Sequence, residues 1–265
     1  MSNVHGTQIT VELRSGIFQF RSERPGSHVY LVRGLDKNVL IDTGTASNYS
    51  RLTQCLSELG LRPSQIHLII LTHEHFDHIG ACPYFNKTAV IGAHILAANK
   101  IALQDEFVMM GKYLDEGARH FRADIWLHDN SVIDLGNYKL RVIHTPGHCS
   151  GCICLYEQDL KIMFTGDTAL AGGVLSGILG SGNVSDYMMS LQALSSLKLE
   201  EFYPGHGRIS LTPEEDLLKA IGVLRQLHED SKILFEALDS KATYERYFSH
   251  LRKQPPKPVK GPIIT

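Results

Sequence analysis

The chain has 265 residues, 43% of them hydrophobic, and 26 basic against 28 acidic side chains for a net charge of −2. That is enough apolar material for one large globular domain or two small ones. Charge so close to balance gives no electrostatic case for nucleic acid or an anionic membrane, and no apolar run approaches the roughly 20 residues of a spanning helix.

Residues 17–20 and 27–32 read as strands that pair early, and 38–42 as another that stops at Thr43-Gly44. From 48 to 59, Leu52, Cys55, Leu56 and Leu59 recur at helical spacing, and Gly60 closes the helix. Residues 66–70 are short, nearly all apolar and rich in β-branched side chains, which marks a buried strand. Directly after it comes Leu71-Thr72-His73-Glu74-His75-Phe76-Asp77-His78, with three imidazoles and two carboxylates in six positions. Imidazole and carboxylate are the donors that zinc or iron accept. His73 and His75 share a face of extended chain. Asp77 and His78 follow where the chain bends, a spacing that suits two adjacent metal ions better than one. Glu74 and Phe76 alternate with them, point the other way, and are assigned a structural role.

Residues 89–92 form a further short strand. The segment 94–123 is dense in apolar and sulfur-bearing side chains with few strand signals, so it reads as one or two helices inserted between strands, able to cap a pocket. In the second half, 138–145 is a strand ending in Pro146-Gly147-His148, and 151–156 and 161–165 form a hairpin ending in Gly166-Asp167-Thr168. Residues 185–197 make a helix, and 201–204 lead into Gly205-His206-Gly207. A helix from Thr212 or Pro213 to about Leu238 follows, with Thr212 as N-cap and Glu214 and Glu215 at its positive end. The Pro/Lys-rich stretch 251–265 reads as an extended or disordered tail after a single domain over 1–250. A strand–turn pattern with Asp occurs twice, at 40–44 and 163–168, which suggests two similar halves packed face to face.

His148, Asp167 and His206 share one setting, a tight turn after a strand, where Pro and Gly let the backbone approach whatever the side chain holds. His144 precedes its turn and is not a ligand candidate. Five cysteines, an odd number, argue against a disulfide framework and for a reducing, cytoplasmic setting. Residues 1–6 lack a basic region leading into an apolar one, which argues against a secretory signal. Cys149 and Cys152 make a C-x-x-C without a second pair; Cys152 and Cys154 sit in a strand, where cysteine acts as a small apolar residue.

Taken in order, Asp42, the His73–His78 segment, His148, Asp167 and His206 resemble the five motifs of the metallo-β-lactamase fold superfamily. The resemblance spans residues 40–207. It implies an α/β fold, a four-layer αβ/βα sandwich, here with the helical insert and C-terminal helices. It further implies that His73, His75 and His148 hold one metal, that Asp77, His78 and His206 hold the other, and that Asp167 bridges, with Asp42 a structural acceptor. The cofactors expected are two divalent ions, zinc first, with iron or manganese also suited. Two metals about 3.5–4 Å apart share a water and lower its pKa towards 7, which gives a hydroxide nucleophile. Asp77 is the catalytic residue expected to orient it and shuttle its proton.

Within the superfamily, 63–67 and the insert are similar to the quinolone-signal response thioesterases of pseudomonads. The stretches 178–180 and 186–191 are similar to the β-lactamase-like protein 2 branch. An apolar, Met-containing insert fits an acyl or aromatic group better than a polyanion, so a small-molecule ester, thioester or lactone is the expected substrate. Phosphodiester or RNA cleavage is the second reading, and a metal-containing regulator acting through a partner surface the third. The sequence leaves the oligomeric state open, a homodimer included.

Overall fold

The structure, a computed structural model, describes residues 9–23, 25–85, 87–111 and 120–237. A first sheet takes seven strands in chain order: β1 (Thr10–Arg14), β2 (Ile17–Phe20), β3 (Val29–Arg33), β4 (Asn38–Ile41), β5 (Leu68–Leu71), β6 (Val90–His94) and β7 (Ile125–Leu127). The first four pair antiparallel, β1–β2 and β3–β4 through short turns and β2–β3 through the longer loop 21–28. From β4 to β7 the pairing is parallel, as crossover connections require. Those connections carry α1 (Tyr49–Glu58), the single-turn α2 (Phe76–Ile79), and α3 (Ile95–Leu103) with α4 (Glu106–Met109).

The second sheet holds β8 (Val132–Asp134), β9 (Lys139–His144), β10 (Ile153–Glu157), β11 (Ile162–Gly166) and β12 (Glu201–Pro204), in the order β12-β11-β10-β9-β8. α5 (Val184–Ser195) carries the parallel crossover from β11 to β12, and α6 (Pro213–Ala237) follows. The chain divides into a compact unit over 1–224, which carries both sheets, and a second over 225–265, of which the described part is the end of α6.

Three apolar clusters fill the spaces between four layers. Leu40, Ile69 and Ile91 pack with Leu52 and Leu56 of α1 and Ala97 and Ile101 of α3 on the outer face of the first sheet. Val39, Ile41 and Ile70 turn the other way and meet Val142, Ile153, Leu155 and Phe164 between the sheets. Cys154, Tyr156 and Met163 face Tyr187 and Leu191 of α5 and Leu217 and Leu224 of α6. Alternation along each strand thus feeds two different cores. Burial on both faces is why the central strands read as continuous apolar runs rather than alternating ones. The result is the α/β four-layer sandwich that the motifs imply.

Several boundaries move by a residue or two. β3 starts at Val29 rather than 27, because the Ser27 and His28 amides donate to Asp77 O and Gly205 O instead of a strand ladder. β5 starts at Leu68 rather than 66, because Pro63–Gln65 make a 3-10 turn that takes the Ile66 amide. The insert contains two helices, α3 and α4; 112–119 lie outside the described residues, as do the end of the final helix beyond Ala237, any second C-terminal helix and the tail 251–265.

Candidate metal centre

The candidate residues all leave the C-terminal ends of strands. Asp42 follows β4, His73 to His78 follow β5, His148 follows β9, Asp167 follows β11 and His206 follows β12. In an open α/β architecture, ligand-binding crevices lie outside such strand ends. Local chemistry then fixes each turn. At Gly147, φ is 151° and an added Cβ would lie 2.4 Å from the Tyr187 backbone, so only glycine lets His148 turn inward. An added Cβ at Gly205 would lie 2.5 Å from His78 Cε1 and 2.7 Å from Asp167 Oδ1.

The seven predicted side chains converge. His75 Nδ1 lies 3.0 Å from His73 Nε2 and 2.8 Å from His148 Nε2. His206 Nε2 lies 3.0 Å from Asp77 Oδ2, and His78 Nε2 is 3.7 Å from the same oxygen. Asp167 stands between the two groups. Its Oδ2 is 3.7 Å from His148 Nε2, while its Oδ1 is 3.4 Å from His78 Nε2 and 3.7 Å from His206 Nε2. Sets of donor atoms close enough to hold one ion are His73, His75 and His148; His73, His78 and Asp167; and Asp77, His78 and His206.

Hydrogen bonds behind the rings fix the tautomers. Thr72 donates its hydroxyl to Asp42 Oδ2, so it accepts from His73 Nδ1 at 3.1 Å. His78 Nδ1 donates to Asp42 Oδ2 at 2.7 Å, and His148 Nδ1 donates to the Gly177 carbonyl. His73, His78 and His148 therefore each carry a proton on Nδ1 and turn Nε2 into the site, whereas His75 turns Nδ1 inward.

The charges are not balanced without a cation. Burial pushes His73 well below its ordinary value and His75 down to about 3, neighbouring imidazoles adding to the effect. Burial also works to lower His78, but Asp77, Asp42 and Asp167 outweigh it and hold it well above the ordinary value. Burial opposes ionisation of Asp77 and Asp167, yet His78, His206 and, for Asp167, His148 hold both carboxylates below their usual range. His78 Nε2 and Asp167 Oδ1 are buried and accept no hydrogen bond. Buried donors of this kind, nitrogen-rich and unpartnered, fit divalent ions.

Three features around the site escaped the sequence reading. Glu74 is fully buried on the far side of the metal motif, as its alternation predicts, but it meets a cation there: Lys100 Nζ of α3 lies 3.1 Å from its Oε1. Lys100 also donates to Ser150 Oγ, two residues past His148. His28 accepts from the Ser22 amide at Nδ1 and donates from Nε2 to Gly207 O at 2.8 Å, so it clasps the turn that carries His206. His144 keeps out of the site, as expected, with Nε2 on Ser150 O and its ring stacked on His94. Cys149 and Cys152 are unpaired and buried, 3.2 Å apart.

Known proteins resemble this chain in sequence and fold. The acyl-coenzyme A thioesterase MBLAC2 of Gallus gallus is 34% identical over 221 residues, covering 73% of this chain and 78% of the relative. The β-lactamase-like protein 2 homolog of Caenorhabditis elegans is 30% identical over 184 residues, covering 69% of this chain and 57% of the relative. A solved metallo-β-lactamase family protein from Thermus thermophilus superposes with a TM-score of 0.69 at 23% identity, covering 86% of this chain and 84% of that one. The family model for the metallo-β-lactamase superfamily matches residues 23–206. With the fold, the strand-end residues and this match in agreement, the chain belongs to the metallo-β-lactamase superfamily.

Proposed function

We propose that this chain is a dinuclear metal-dependent hydrolase of small acyl thioesters, with esters and lactones as related substrates. In this reading His73, His75 and His148 hold one ion, Asp77, His78 and His206 hold the other, and Asp167 bridges. The observation that carries it is the division of Asp167, with one oxygen towards His148 and the other towards His78 and His206. Two divalent ions, zinc first and iron or manganese also suited, supply Lewis acidity when bound, lowering the pKa of a shared water towards about 7 and polarising a carbonyl.

The chain's own part is binding and proton transfer. Asp77 is held ionised and reaches into the site beside His206. It orients the attacking water and accepts its proton. Oxygen bonds to the acyl carbon, the carbon–sulfur bond breaks, and the proton passes to the leaving sulfur, giving a carboxylic acid and a thiol. An acyl chain has an apolar surface to lie on: Leu103 and Phe107 are 81% and 79% exposed. The chain just after α4 returns to the metal loop, where a Cβ at Gly111 would meet Phe76 Cβ at 3.9 Å. The thioesterase named among the relatives supports the same substrate class. Free, buried cysteines suit a reducing cytoplasm, and among the described residues no helix is long and apolar enough to cross a membrane.

Elemental analysis of freshly purified protein tests the centre, with about two ions per chain expected. Turnover of acyl-thioester, lactone and bis-aryl phosphodiester panels, before and after chelation, tests the chemistry. Turnover that survives removal of the metal would sink the hydrolase reading; cleavage of phosphodiesters alone would replace acyl transfer with the second reading. Loss of activity in Asp77→Asn with full retention of a biological role would favour a regulator.

A further inference from the structure

We propose that the cleft beside the His206 turn binds the phosphate-bearing carrier of the thioester, coenzyme A, so that the substrate lies across the metal centre in one direction. This rests on the thioesterase reading above. The cleft is a cavity of about 1040 Å³ bounded by the β1–β2 hairpin, the β2–β3 loop and the chain after His206. Its lining includes Gly207, the residue after His206. His28, at its lip, is tied through its amide to Gly205 O at 2.7 Å and through its ring to Gly207 O, the two glycines that flank His206. His206 is also the open side of the site, with 27% of its side chain exposed against 4% for His148.

The charges in the cleft are unequal in availability. Of its carboxylates, Glu23 is paired with Arg51 at 3.0 Å and Glu201 with Arg14 at 2.6 Å. Glu12 accepts the Gly16 amide, and Asp216 accepts the Ser210 hydroxyl. Arg21 and Arg208 also line the cleft, are exposed, and have no carboxylate within 4.0 Å of their guanidinium groups among the described residues. Two guanidinium forks without an acidic partner match phosphate oxygens, which they grip bidentately. Arg208 is two residues from His206, so its Cα is within about 7 Å of that ligand's. Ile209 and Leu211 give the same wall an apolar surface for the methylenes of the carrier arm.

The opposite flank has the other character. His148 donates to the Gly177 carbonyl, and that loop reaches α4, where a Cβ at Gly180 would lie 3.4 Å from Val108. Leu103, Phe107 and Val174 are exposed on these elements. The acyl chain therefore runs towards α3 and α4, and the leaving thiol towards His206 and the arginines.

The test compares parent and the Arg21→Gln/Arg208→Gln double variant, both metal-loaded. The substrates are hexanoyl-coenzyme A and hexanoyl-N-acetylcysteamine, which has the same thioester without phosphates. The parent is expected to prefer the coenzyme A thioester in kcat/KM, and the variant to lose about tenfold of that preference, chiefly through KM. Calorimetric titration with adenosine 3′,5′-bisphosphate is expected to show binding about tenfold weaker in the variant. A preference and a bisphosphate affinity that are unchanged in the variant overturn the proposal. So does an equal loss on both thioesters, which would mean a structural effect only. Failure of the underlying reading is separate, since the parent would then hydrolyse neither thioester.

Discussion

Asp42 Oδ2 lies 2.7 Å from His78 Nδ1, and this contact decides which nitrogen of the ring faces the candidate metal centre. Asp42 takes a left-handed φ of 61° to make it, and it is itself held by the Thr72 amide and hydroxyl, each at 2.7 Å. Asp42→Asn keeps the shape and removes the charge. We expect ion affinity at the Asp77–His78–His206 site to fall by roughly 10–100-fold, with the three-histidine site affected less. Competition against a chromophoric chelator resolves the two sites, and two ions bound as tightly as in the parent would count against the assignment.

Glu74 and Lys100 form a second support. The carboxylate has no exposed surface and the ammonium little, so each is the other's counter-charge. Lys100→Met strands a buried carboxylate and is expected to cost about 3–5 kcal/mol of stability. Adding Glu74→Gln should recover much of that loss, because an uncompensated charge is worse than none. Urea unfolding of the two single variants and the double gives the coupling, and strictly additive losses would show that the pair does not interact.

Gly205 makes room where the ligands crowd. Gly205→Ala sets a methyl group against His78 and Asp167. The outcome expected is loss of the second ion, with little change in far-UV circular dichroism. Metal stoichiometry by mass spectrometry under native conditions reads it directly, and two ions retained would show that the turn can yield.

His94 gives a pH dependence away from the metal. Burial, then the stacked His144, pushes it down to about 4 from an ordinary value near 6.5. The unfolded chain thus binds this proton first, and stability falls as pH drops from about 6.5 to about 4, with no contribution above that window. His94→Gln removes the titration while keeping an acceptor for the Leu96 amide that the ring now takes. The difference in Tm between parent and variant should shift in the variant's favour across that window; a difference that does not change with pH would rule the group out.

The candidate site residues were legible because each belongs to a local pattern. His73, His75, Asp77 and His78 follow a buried strand, and His148, Asp167 and His206 sit in Gly-bearing turns whose geometry is set within three or four residues. The central strands were legible for the same reason, since burial on both faces leaves an uninterrupted apolar run. β1, β7 and β8 were not. β1 and β8 end their sheets, while Ile125, Trp126 and Val132 are exposed, so edge positions dilute the signal.

What only the tertiary structure decided is what these turns meet. His78 is oriented by a carboxylate 36 residues away and the His206 turn is clasped by a histidine 179 residues away. Glu74 finds Lys100 on helix α3, and Arg21 and Arg208 come to one cleft from distant parts of the chain. Short-range sequence patterns reflect backbone propensity and burial, and both are local. The division of Asp167 between two sets of histidines is a product of two sheets packed face to face, which no window along the chain contains.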